Sequence, residues 1–96
     1  CASKAAVGAI TRCLAVEWAR DGIRVVDVAP GFTLTDLNRP HMEDERFARF
    51  IAPAIPGGRP GEPWEIARFV AALYAEDIPF ATGETYYVDG GQAVAN

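Results

Sequence analysis

The 96-residue chain has one histidine, one methionine and two cysteines, and no unbroken apolar run near the roughly 20 residues a membrane span requires. Each scarcity removes a class of function. Without such a run, no membrane insertion is expected. Cys1 and Cys13 lie twelve residues apart, which fits neither a disulfide framework nor the close ligand pairs of a structural zinc site. Both are therefore read as buried thiols, and no metal site is expected. His41, in a charged segment beside Pro40, is read as exposed rather than as a base or ligand. The charge balance, 9 Lys plus Arg against 13 Asp plus Glu, gives a net −4 with no long acidic block. Nucleic acid is not an expected partner, because binding it needs a basic face that displaces counterions from phosphates. The 96 residues hold no internal repeat or low-complexity tract and no charged-then-apolar segment, which a chain lacking its true start could have lost; the expected compartment is the cytoplasm.

What is present is a set of periodic segments separated by Gly and Pro. From about Ala2 to Arg20 an Ala-rich stretch places Val7, Ile10, Leu14 and Trp18 at helical spacing, with Gly22 positioned as a left-handed cap. Ala2, Ala5, Ala6, Ala9, Cys13 and Val16 extend the apolar surface around most of that cylinder, so the helix expects neighbours on more than one side. Ile23, Val25, Val26 and Val28 then form a nearly continuous β-branched run, ended by Pro30-Gly31 and suited to a parallel strand covered on both faces. Phe47, Phe50, Ile51 and Ala54 mark a short amphipathic helix among prolines. Pro63 opens another helix, with Glu62 and Glu65 near its positive end. Ile66, Phe69, Val70, Leu73 and Tyr74 give that helix one apolar stripe, which Pro79 ends. Thr85 to Val88 reads as a second strand, finished by the turn Asp89-Gly90-Gly91.

Helix, strand, helices, strand is the alternation of an α/β layer in which a crossover joins two parallel strands. Two strands alone leave both flanks with unpaired backbone groups, so the sequence predicts an architecture that is incomplete by itself.

The stretches "ASK", "LAVEWARDGIRVVDVAPGFTLTD", "GRPGEPWEIARFVAALYAED" and "ATGETYYVDGG" together resemble the short-chain dehydrogenase/reductase family, in order and over essentially the whole chain. The resemblance implies the carboxyl-terminal portion of a single Rossmann-like, doubly wound NAD(P)-binding domain spanning residues 1–96. It also implies NAD or NADP as cofactor, and interconversion of an alcohol with a ketone or aldehyde in the complete enzyme. The family's helix carries a Tyr-x-x-x-Lys pair; aligning its lysine on Lys4 places the tyrosine immediately before Cys1. By the same alignment, the glycine-rich phosphate loop and the catalytic serine fall upstream.

Residues four apart on a helix share one face, and a nearby ammonium lowers a tyrosine pKa from near 10 toward the working range. The resemblance implies that catalytic role for Lys4, together with hydrogen bonds to the nicotinamide ribose. On spacing alone, Lys4 reads as a solvated lysine at a helix start. Pro30-Gly31 makes a rigid turn at a strand exit, where open α/β sheets bind ligands. The resemblance assigns nicotinamide carboxamide binding to the segment after it, through the Thr33 main chain and the Thr35 hydroxyl. The alternative is a plain turn with Thr35 as a helix cap and Asp36 supporting the helix start.

Met42, Phe47, Phe50 and Ile51 match the family's lid in position and serve equally as packing residues. Glu43, Asp44, Glu45 and Arg46 read as a solvated face. Trp64, Tyr74, Tyr86 and Tyr87 read as core or subunit-contact area, and Gly90 and Gly91 as turn formers. The chain departs from the family at Val26, where many members carry Asn; Asp27 does not replace it, because strand side chains alternate. The family further implies a small-molecule alcohol or carbonyl substrate and a homo-oligomer, dimer or tetramer. Two rival readings are an interaction module without catalysis and a truncated remnant.

Overall fold

The Ala-rich start folds as its periodicity predicts, into helix α1 (Ala2–Trp18) followed by a 3₁₀ turn, Ala19–Asp21. Gly22 takes φ 72°, and the N–H groups of Gly22 and Ile23 close on the carbonyls of Ala19 and Trp18 at 3.1 and 3.2 Å. Asp21-Gly22 is therefore a helix cap, as its place behind the periodic stretch implied. This computed structural model describes residues 2–42, 45–75 and 77–95, without the side chains of residues 41, 42, 46–48 and 52. Cys1, Glu43 and Asp44 thus lie outside the described residues, and the expectations for the side chains of His41, Met42, Arg46 and Phe47 lie outside what is described.

The face of α1 that is covered is its smallest one. Gly8, Thr11 and Ala15 are buried, whereas Val7, Ile10 and Trp18 remain exposed. Small side chains let the helix approach the loop ahead of the second strand closely: a β-carbon on Gly83 would lie 3.4 Å from that of Ala15. Cys13 is exposed, contrary to the expectation of a buried thiol. Five positions beyond Gly8, it stands about 140° around the cylinder from the covered face.

Strand β1 (Asp27–Pro30) is shorter and later than the β-branched run suggests. Its extent is set by its partner β2 (Thr85–Val88), which pairs with it in parallel in the register Asp27↔Thr85 through Pro30↔Val88. Ahead of the ladder, Val25 binds a loop instead: its N–H donates to Thr82 Oγ1 at 3.0 Å, and its carbonyl accepts the Gly83 N–H at 2.8 Å.

The crossover between the strands holds helices α2 (Arg39–Met42) and α3 (Glu45–Ile51), a 3₁₀ turn at Ala52–Ala54, and helix α4 (Pro63–Ala75). Pro63 supplies a first turn with no N–H to satisfy, while the Glu65 carboxylate accepts the Glu62 N–H at 3.0 Å, one half of a capping box. The helix ends at Ala75, short of Pro79. At that end Arg24 donates to the Leu73 carbonyl at 2.7 Å, a cation meeting the negative end of the dipole. From the α4 stripe, Phe69 reaches Tyr86 of β2 with ring centroids 5.7 Å apart.

Little of this assembly is fully covered. Ala15 and Ile55 are the buried apolar side chains among the described residues, at 4% and 3% exposure. The accessible surface is 7207 Å², against about 5,400 Å² for a typical folded monomer of this mass. The two-stranded sheet leaves an open edge on each side, as the alternation of elements implied.

Candidate functional site

Lys4, Gly8, Arg12 and Ala15 succeed one another at three- and four-residue steps, so they lie along one side of α1, the side that meets the strands. Gly8 is buried on that side. A β-carbon there would stand 3.4 Å from Arg12 Nη1 and 3.8 Å from Asp27 Oδ2. Between this helix face and the strands runs a cleft of about 610 Å³, lined by Ser3, Lys4, Gly8 and Arg12 on one wall and Asp27, Pro30, Thr85 and Tyr87 on the other. That volume falls within the range of small-molecule sites. Inside it Asp27 Oδ2 accepts the Thr85 hydroxyl at 3.2 Å.

The structure therefore brings Lys4 and Pro30 to one cleft. Gly31, Thr33 and Thr35 follow Pro30 but are not part of its lining. At Gly31 the structure gives a steric reason for the absent side chain. A β-carbon there would lie 2.5 Å from Asp89 Cβ and 2.8 Å from Asp89 Cα, so glycine is required for β1 to exit against the end of β2.

Beyond Gly31 the chain is tied down residue by residue. Thr33 bridges Gly61 in parallel fashion: the Gly61 N–H donates to the Phe32 carbonyl at 2.9 Å, and the Leu34 N–H to the Gly61 carbonyl at 2.8 Å. That pattern turns the N–H and C=O of Thr33 itself away from Gly61. On that other side the Thr33 carbonyl accepts from Asn38 Nδ2 at 3.1 Å. The Asn38 side chain also accepts the Thr35 N–H at 2.6 Å, while the Thr35 hydroxyl oxygen accepts the Asn38 N–H at 3.2 Å. Thr35 thus forms a cap ahead of α2, as the plain-turn reading expected, and that bond uses a lone pair of its hydroxyl and not its proton.

Asn38 was not singled out by sequence reasoning, although Thr-x-x-Asn after a strand exit is a local capping signal. Gln92 was missed too. Its Oε1 accepts the Phe32 N–H at 3.4 Å across 60 residues, a pairing with no local signature. Among the described residues no group of three or more His, Cys, Asp or Glu is arranged to hold a metal ion, and no helix is long and apolar enough to cross a membrane.

Lys4 lines the cleft with Pro30, while the Thr33 peptide and the Thr35 hydroxyl lie just beyond its lining. An ammonium, a peptide group and a hydroxyl are the kinds of group that ribose hydroxyls and a carboxamide would take as partners.

A family model described as enoyl-(acyl carrier protein) reductase matches residues 1–93. The chain is 49% identical over 90 residues to a glucose 1-dehydrogenase of Gluconobacter oxydans, a match covering 94% of the chain and 34% of that protein. Among solved structures, it resembles a 3-oxoacyl-[acyl-carrier protein] reductase from Brucella melitensis in complex with NAD, with TM-score 0.85, 34% identity, and 100% of the chain and 38% of that structure covered. An Agrobacterium tumefaciens protein assigned as a 2-deoxy-D-gluconate 3-dehydrogenase, with bound NADP, gives TM-score 0.83 and 33% identity over 97% of the chain and 38% of that structure. The chain spans about a third of the length of the curated relatives it matches.

Proposed function

The chain belongs to the short-chain dehydrogenase/reductase family, and from that premise we propose that it forms the carboxyl-terminal portion of a single NAD(P)-binding Rossmann-like domain in an enzyme that interconverts an alcohol with a ketone or aldehyde. The observation that supports this reading most directly is the shared cleft of Lys4 and Pro30, at the exit of β1 where ligands of α/β sheets bind.

When bound, the nicotinamide cofactor, NAD or NADP, supplies or accepts the hydride. The chain's own residues do the rest. Lys4 holds the ribose hydroxyls and, by the family's Tyr-x-x-x-Lys spacing, is placed to set a positive charge beside a phenol. Its charge favours the phenolate and so eases proton exchange with the substrate oxygen. The Thr33 main chain and the Thr35 hydroxyl hold the carboxamide, and the cap from Asn38 fixes both.

The substrate is proposed to be a small alcohol or carbonyl compound and the compartment the cytoplasm. Exposed Trp64 and Tyr74 on α4, with Tyr87 and Val94 at and after β2, suit the contacts of a homo-oligomer.

The test is a titration of NADH and NADPH into the natural polypeptide carrying this sequence, read by nicotinamide fluorescence. Saturable binding that weakens in Lys4→Met supports the reading. Self-association without any cofactor response would favour an interaction module instead.

A further inference from the structure

The three-residue turn after β2 reaches back onto the strand exit of β1. Asp89 organises it: its Oδ1 accepts the Gly91 N–H at 3.0 Å and its Oδ2 the Ala93 N–H at 2.9 Å, while its carbonyl accepts the Gln92 N–H at 3.2 Å. Gly90 and Gly91, at φ 63° and 92°, supply the left-handed residues the turn requires. The same Asp89 lies against Gly31, whose N–H donates to the Val88 carbonyl at 3.0 Å.

The outcome is a grip on one peptide plane, that between Gly31 and Phe32. Its N–H donates to Gln92 Oε1 at 3.4 Å, and its carbonyl accepts the Thr33 hydroxyl at 3.0 Å. Contacts at both poles restrain rotation of this peptide, and such a rotation would also disturb the next one, whose carbonyl accepts the Gly61 N–H at 2.9 Å and whose N–H belongs to Thr33.

We propose that Gln92 is a positioning residue for nicotinamide recognition, acting through the Gly31–Phe32 peptide on the Thr33 main chain. The inference rests on the proposed function, which gives Thr33 to the carboxamide. Asp89 sets the aim of Gln92, and Gln92 sets the aim of Thr33. The adenosine half of a dinucleotide has no part in this relay.

That separation provides the test. In the natural polypeptide carrying this sequence, affinities are measured for NADH and NADPH by fluorescence, and for ADP-ribose and its 2′-phosphate, which lack nicotinamide, by competition. Gln92→Leu should weaken the reduced dinucleotides roughly three- to tenfold, the loss of one net hydrogen bond, while ADP-ribose stays within about twofold. Gln92→Glu keeps an acceptor oxygen at the same reach and should restore the affinity. Equal weakening of both ligand classes, no weakening of either, or a Gln92→Glu variant that behaves like leucine would overturn the role. Should the leucine variant fail to fold, Gln92→Asn withdraws the oxygen by one methylene and reads the same selectivity. An unsubstituted protein that binds ADP-ribose but no nicotinamide dinucleotide would instead overturn the functional reading beneath it.

Discussion

Asp27 and Thr85 stand directly opposite each other in the parallel ladder and are joined by a 3.2 Å hydrogen bond from the Thr85 hydroxyl to Asp27 Oδ2. The bond sits in the wall of the cleft that Lys4 also lines. Replacing threonine by valine keeps the shape and the β-branch but leaves the carboxylate without this donor. Thr85→Val should therefore destabilise by about 1 to 2 kcal/mol, since the bond is made to a charged acceptor that is partly buried. Urea unfolding should show a lower midpoint with an unchanged m-value. An unchanged midpoint would mean that water replaces the hydroxyl at no cost.

Two glycines that the sequence does not distinguish should respond oppositely to alanine. At Gly31 the added carbon meets Asp89 backbone at 2.8 Å, so strand β1 or the turn after β2 must shift, and a loss of about 1–3 kcal/mol is expected. At Gly8 it meets only the tip of Arg12 at 3.4 Å and Asp27 Oδ2 at 3.8 Å. There the helix gains up to about 1 kcal/mol from the better intrinsic propensity of alanine. Thermal melts of the two variants should move apart; melts shifted in the same direction would refute the placement of α1 against β1.

Much of the architecture was legible because its signals are local. The spacing of Val7, Ile10, Leu14 and Trp18 with Gly22 behind them defined α1, and the stripe from Ile66 to Tyr74 defined α4. Thr85–Val88 appeared as read. The limits of β1 were not legible, because a strand extends only as far as its partner: Val25, as β-branched as Val28, binds Thr82 and Gly83 instead. The buried face of α1 was also hidden. Periodicity ranks side chains by hydrophobicity, whereas close approach to the sheet selected the small ones, Gly8, Thr11 and Ala15. At the candidate site, Lys4 and Pro30 came from motifs. Asn38, Asp89 and Gln92 act through contacts that no single stretch of sequence records.

Acid should act on the start of α4 in a defined window. The Arg59 guanidinium hydrogen-bonds the Glu65 carboxylate at 2.7 and 3.0 Å and, with the Glu62 N–H, lowers its pKa from 4.5 to about 2. A depressed carboxylate contributes stability that is fully present above its unfolded pKa and is lost as pH falls through the folded one. The contribution should therefore be intact above about pH 4.5 and fade toward pH 2. Glu65→Gln should remove the part of the acid response lying in that window, visible as a flatter dependence of melting temperature on pH. Identical profiles for the two proteins would show that the pair is open in solution.

The last prediction concerns Lys4, where charge and reach are separable. In the natural polypeptide, Lys4→Met keeps an unbranched side chain of similar length in the cleft but removes the ammonium. On the proposed function, the Lys4 ammonium lowers the pKa of a neighbouring phenol, and without it that value returns toward about 10. Alcohol oxidation by way of the phenolate would then have its acid limb moved to higher pH. The rate near neutrality should fall by roughly a hundredfold or more, the range a positioned acid–base group supplies. Lys4→Arg restores the charge but replaces a compact point donor by a planar fork, so the pH profile should recover more fully than the affinity for the cofactor. A methionine variant that loses rate at every pH equally, with its profile unmoved, would assign Lys4 to ribose binding alone and leave the tuning of the phenol to another group.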